Sequence, residues 1–134
     1  MTTHEVPSDL QQFLRDHVET YEQLEILVLL AGAPDRHWSA DDIAAALRVD
    51  HAVVTEGLAH LDRAGVLVAS GPDTAPRFAA RPDHAAMVVR LADVYRRDRL
   101  GIMNRMTSNA LERVRTSALR AFTSAFLLGK KNDG

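Results

Sequence analysis

The chain has 134 residues, 46% of them apolar and 25% charged, with 16 Lys and Arg against 18 Asp and Glu for a net charge of −2. That length supports one core of ordinary size, and the composition is that of a soluble globular protein. It has no cysteine, which excludes disulfide frameworks and thiolate metal centres. The longest apolar run, residues 26–33, is far shorter than the roughly 20 residues that span a bilayer. The start, Met1-Thr2-Thr3-His4-Glu5-Val6-Pro7, has neither the basic residues nor the apolar core of a signal peptide, so the expected location is the cytoplasm. Charge is unevenly spread: residues 1–66 carry 12 acidic and 4 basic side chains, and residues 67–134 carry 6 acidic and 12 basic. That asymmetry predicts an anionic partner for the C-terminal half, or attraction between the halves within one chain or across a dimer.

Ser8-Asp9-Leu10-Gln11 has the form of a capping box and predicts a short helix with Leu10, Phe13 and Leu14 on one face. Thr20-Tyr21-Glu22-Gln23 repeats the box and starts a second helix at Tyr21. That helix is apolar nearly all round from Leu24 to Leu30, so it is expected at the centre of the core. Gly32, with Pro34 just beyond, ends it. Ser39 with Asp42 opens a third helix, and Asp50 caps a fourth whose buried positions are Val54, Leu58 and Leu61. Gly65 supplies a left-handed stop. Residues 66–69 and 77–80 then read as two strands about a turn at residues 70–74, a hairpin wing.

Past Pro82-Asp83, the residues Val88, Leu91, Tyr95, Ile102 and Met106 recur near heptad spacing, and Asp98 with Gly101 predicts a bend. Asn109 to Glu112 offers another capping box, starting a last helix with Leu111, Val114, Ala118, Phe122 and Ala125 on one side. Gly129 is expected to stop it, with Lys130 and Lys131 suited to the helix dipole. The expected fold is mainly α with a small β-hairpin wing, a winged helix-turn-helix plus C-terminal helical extension. Residues 1–82 form the winged unit with its N-terminal helix, and residues 83–134 a helical dimerisation region.

Over residues 21–81 the chain resembles the winged helix-turn-helix superfamily, most closely the MarR-like small bacterial regulators. The carrying residues are Trp38-Ser39, then Ile43 and Ala44, and the run Val54-Thr55-Glu56-Gly57-Leu58-Ala59-His60-Leu61-Asp62-Arg63-Ala64-Gly65-Val66-Leu67. The resemblance implies a DNA-binding transcription regulator that places the second motif helix in a groove of double-stranded DNA. Its groove-facing positions fall here on Ala52, Val53, Thr55, Glu56, Ala59, His60 and Arg63. Thr55, His60 and Arg63 are the candidate contacts, with Arg77 and Arg81 reaching the DNA backbone from the wing. Asp50, Glu56 and Asp62 on the same helix make a poor footprint for a polyanion. A second reading therefore stays open: a protein-protein interaction adaptor with this fold that does not bind DNA, touching its partner through Ala52, Val53 and Ala59.

The six histidines do not form a metal motif. His51 and His60 are nine apart on one predicted helix and cannot share a face, and His4, His17, His37 and His84 fall in separate elements. With no glycine-rich phosphate loop and no G-x-S-x-G, neither an enzyme nor a cofactor is expected. Trp38 reads as a packing anchor between motif and wing. Arg90, Arg96, Arg97, Arg99, Arg105, Arg113, Arg115 and Arg120 decorate the C-terminal helices, whose apolar stripe needs cover. Leu91, Tyr95, Phe122 and Phe126 are the expected homodimer interface. The competing arrangement folds those helices back onto Leu10, Phe13 and Leu14 of the same chain.

Overall fold

The computed structural model of the chain describes residues 6–132, with side chains as far as residue 127. His4 and the side chains of Lys130 and Lys131 lie outside the described residues. The elements are α1 (Ser8–His17), α2 (Tyr21–Ala31), β1 (Trp38–Ser39), α3 (Ala40–Leu47), α4 (His51–Arg63), β2 (Leu67–Ser70), β3 (Arg77–Ala80), α5 (Pro82–Arg97) and α6 (Arg99–Asn132).

The apolar run of α2 makes it the centre. Leu24, Ile26, Leu27 and Leu30 are buried, and α3, α4 and α5 pack around them. Val54, Leu58 and Leu61 of α4 fill the core as their spacing predicts, joined by Val88 and Leu91 of α5 and by Ile102 and Met106 of α6. The buried residues form one cluster that runs from α1 into α6. Gly57 fixes how closely α4 approaches α2. A Cβ at that position would stand 2.9 Å from Ile26 Cδ1, tighter than an apolar contact allows.

Local capping decides several boundaries. Thr20 forms the complete capping box with Gln23, and Ser39 Oγ accepts from the Asp42 N–H at 3.1 Å. Gly65 adopts φ +80° just past α4, as a left-handed stop requires. Asp98 ends α5, and its Oδ1 accepts from the Gly101 N–H at 3.0 Å, producing the expected bend. Other expectations fail locally. Pro7 rather than Ser8 caps α1, because its fixed φ starts the helix one residue earlier; Gln11 Nε2 then donates to the Val6 carbonyl at 2.6 Å. Asp50 caps α4 through its carbonyl, which accepts from Val53 and Val54, and its side chain makes no cap bond. Gly32, by contrast, is the C-cap of α2 as expected, in the right-handed region at φ −71°.

Two larger corrections concern α6. No new helix starts at Asn109, whose side chain is buried within a continuous helix. A cap needs an extended residue at a free helix end, and here the inward face of Ile102 and Met106 carries the helix through. Gly129 does not stop it either, since an interior glycine costs only about 1 kcal/mol relative to alanine.

The sheet has three antiparallel strands in the order β1-β3-β2, pairing Trp38 with Phe78 and Leu67 with Ala80. β1 adds a strand to the predicted hairpin. Polar contacts join α1 and the loop after it to α5 and α6, and the pair Arg90–Asp9 has the sense expected of a basic half meeting an acidic one. Arg90 of α5 pairs with Asp9 of α1, Arg15 meets Glu112 at 3.5 Å, and Arg113 donates to the Glu19 carbonyl at 3.2 Å. The Arg90 guanidinium holds the Asp9 carboxyl below the usual carboxylate range. Beyond Arg113, α6 is exposed on every described side.

Candidate nucleic-acid interface

The 3.6-residue period divides α4 into two faces. Val54, Gly57, Leu58 and Leu61 point into the core, while His51, Ala52, Thr55, Glu56, Ala59, Asp62 and Arg63 are exposed. Thr55 Oγ1 donates to the His51 carbonyl at 2.9 Å, one turn back, so its methyl and lone pairs face outward. His51 Nε2 lies 3.0 Å from Asp41 Oδ1 in the first turn of α3. A groove of about 480 Å³ separates α4 from the hairpin; Asp41, Thr55, Ala59 and Asp62 line one side, and Thr74, Pro76 and Phe78 the other.

The five candidate DNA contacts are not all brought together. Thr55 and Arg63 share the exposed face of α4, and Arg63 makes no hydrogen bond or ion pair among the described residues. Arg77 is exposed on β3, where it donates to the His37 carbonyl at 3.3 Å. Arg81 sits at the N-cap of α5 and is drawn to Asp83 Oδ1 at 3.3 Å. His60 turns away. Three residues past Gly57, it flanks the buried side, and its Nε2 donates to the His17 carbonyl of α1 at 3.1 Å. The His17 ring packs against Phe13 and His84, with centroids 4.9 and 5.3 Å away. Burial, and then the neighbouring His84, hold the His17 imidazole below its ordinary value.

No family model matches the sequence, and no curated protein matches it. Solved structures do. MepR, a transcription regulator of the Staphylococcus aureus multidrug efflux pump MepA, superimposes with a TM-score of 0.53 at 16% identity, over 87% of this chain and 87% of that one. HlyU of Vibrio cholerae gives 0.52 at 20% identity, over 66% of this chain and 90% of HlyU. The adhesin competence repressor AdcR of Streptococcus pyogenes gives 0.52 at 21% identity, over 85% and 82%. The chain has the winged helix-turn-helix fold. At these identities the likeness is one of architecture: α3 and α4 are the helix-turn-helix pair, and β2 and β3 the wing.

Within the winged helix, Trp38 anchors β1 beneath the wing, buried and covered by the Arg36 guanidinium 3.6 Å from its ring centroid. Sequence reasoning passed over Arg48, which closes α3 at φ +57° in the turn between the two motif helices. The left-handed region disfavours residues other than Gly, Asn and Asp, so only the Arg48-Val49-Asp50 break hinted at that turn. Arg48 is exposed beside α4 and adds a positive charge to its rim. Among the described residues no group of three or more His, Asp or Glu is placed to hold a metal ion, and no helix is long and apolar enough to cross a membrane.

The expected interface residues separate cleanly. Leu91 and Tyr95 are buried in the chain's own core, Tyr95 bonding through its hydroxyl to that of Tyr21 at 3.0 Å. Both are thereby covered by the chain itself. Burial, followed by that hydrogen bond, raises the Tyr95 phenol. Phe122 and Phe126 stand 69% and 60% exposed on α6, their rings stacked 6.5 Å apart.

Proposed function

We propose that this chain is a bacterial DNA-binding transcription regulator that acts as a cytoplasmic homodimer and catalyses no reaction. The observation that carries the reading is the outer face of α4, where Thr55, Glu56, Ala59 and Arg63 are exposed beside the wing. Thr55 would meet a thymine methyl or a phosphate, and Arg63 and Arg77 phosphates; Arg48 extends the same rim. Phe122 and Phe126 on the unpartnered stretch of α6 would join the two copies. A two-fold axis would then set the two α4 helices about one DNA turn apart.

Fluorescence polarisation with genomic duplex fragments tests it. Arg63 and Arg77 in two copies supply about four phosphate contacts, so affinity should fall by about 10² between roughly 50 and 200 mM salt. Arg63→Glu with Arg77→Glu should abolish binding. Absence of binding at low salt, or binding indifferent to salt, refutes the reading. One observation favours a second reading, the protein-interaction adaptor: Asp41, Glu56 and Asp62 surround Ala52 and Ala59 and leave this face without a continuous positive field. Glu56→Lys separates the two. It should strengthen duplex binding by a regulator, and leave an adaptor with no duplex binding at all.

A further inference from the structure

The inward face of α6 changes character after Met106. Ile102 and Met106 are core residues, but the next positions on that face are Asn109, Arg113, Thr116 and Arg120, at spacings of four, three and four. With Arg15 of α1, Glu112 and Ser117 they line a cleft of about 420 Å³ that no aromatic or aliphatic side chain enters. Three guanidiniums there face one carboxylate, and Glu112 is already shared with Arg15. Arg113 is steadied by the Glu19 carbonyl, whereas Arg120 makes no hydrogen bond or ion pair among the described residues. Asn109 is 3% exposed, and neither its Oδ1 nor its Nδ2 has a partner. A buried amide left unpaired destabilises a fold, and such groups are rare unless something else satisfies them.

We propose that this cleft binds a small hydroxylated phosphomonoester by its phosphoryl group. The planar fork of arginine matches phosphate oxygens, and Arg113 and Arg120, on one face of α6 about two turns apart, can take them together. Thr116, Ser117 and the Asn109 amide suit the hydroxyls of the ester's body. An aromatic acid would find no aromatic or aliphatic residue here to pack its ring against. Leu111, Ala118 and Phe122 lie about half a helical turn away, so self-association through them leaves the cleft open. The inference is independent of DNA binding.

Isothermal titration calorimetry of the full chain with glucose 6-phosphate, glycerol 3-phosphate, glucose and inorganic phosphate tests it. At least one ester should bind saturably, glucose should give no heat, and inorganic phosphate should bind more weakly than the ester. Arg120→Ala should weaken the ester by at least about tenfold, the loss expected for one charge-assisted contact. Thermal unfolding of the ligand-free Arg120→Ala chain should be unchanged. Asn109→Leu distinguishes a site from a structural role: it should remove ester binding while raising the unfolding temperature of the ligand-free chain, because an unpaired amide gives way to an apolar group of similar size. No saturable heat with either ester, equal affinity for inorganic phosphate, or affinity indifferent to Arg120→Ala overturns the proposal. So does an Asn109→Leu chain that keeps ester binding or unfolds at a lower temperature.

Discussion

Replacing Phe122 by Asp tests the homodimer most directly. The ring is 69% exposed in the single chain, and its one ring partner among the described residues is Phe126, itself exposed. The substitution therefore leaves the core untouched, and the unfolding transition of the monomer should not move. Across a two-fold axis the change is made twice. Burying a phenylalanine contributes roughly 1.5–3 kcal/mol, so losing two removes about 3–6 kcal/mol. That raises the dissociation constant by about 10² to 10⁴, before any cost of burying two unpaired carboxylates. Light scattering and sedimentation equilibrium at micromolar concentration should show a dimeric parent and a monomeric variant with the same circular dichroism. A parent of monomeric mass, or a Phe122→Asp chain that remains dimeric, would refute the reasoning.

Leu91→Ala should act on folding instead. Leu91 is fully buried in its own chain, so a loss of about 2–5 kcal/mol is expected in urea denaturation; a loss under about 1 kcal/mol would place it outside the core. Gly57→Val brings methyl groups against Ile26, whose Cδ1 is 2.9 Å from the position of an added Cβ. It should cost roughly 1–3 kcal/mol, and Ile26→Val should recover part of that in a double-mutant cycle. A neutral Gly57→Val would show that α4 and α2 have slack between them. Acid should act through His17, whose folded-state value is held below its ordinary 6.5. The unfolded chain then binds more protons, so this contribution is complete above about pH 6.5 and is lost as the pH falls toward the lowered value. The unfolding midpoint should drop between about pH 7 and 5.5, and His17→Gln should drop less; Asp9, Asp42 and Asp83, all lowered from 3.8, act at more acid pH. An identical drop in His17→Gln would remove His17 as the cause.

What the sequence determined by itself is what can be settled within a few residues of chain. The caps at Thr20 and Ser39, the left-handed stop at Gly65, the bend at Asp98 and the inward positions Val54, Leu58 and Leu61 all depend on neighbours three or four residues away. Those signals were enough for the motif, its hairpin and its outer face. Other features required partners far along the chain. β1 became a strand because Trp38 found Phe78, and His60 turned toward α1 because a carbonyl there lay within reach. Asn109 has the spacing of a cap, yet it lies inside one long helix over a cleft that Arg15 completes from α1. Leu91 and Tyr95 fell to the chain's own core, while Phe122 and Phe126, with the same kind of spacing, stayed outside. Periodicity states that a face must be covered; only the three-dimensional course of α6 past the end of α1 decided which part of that face the chain covers for itself.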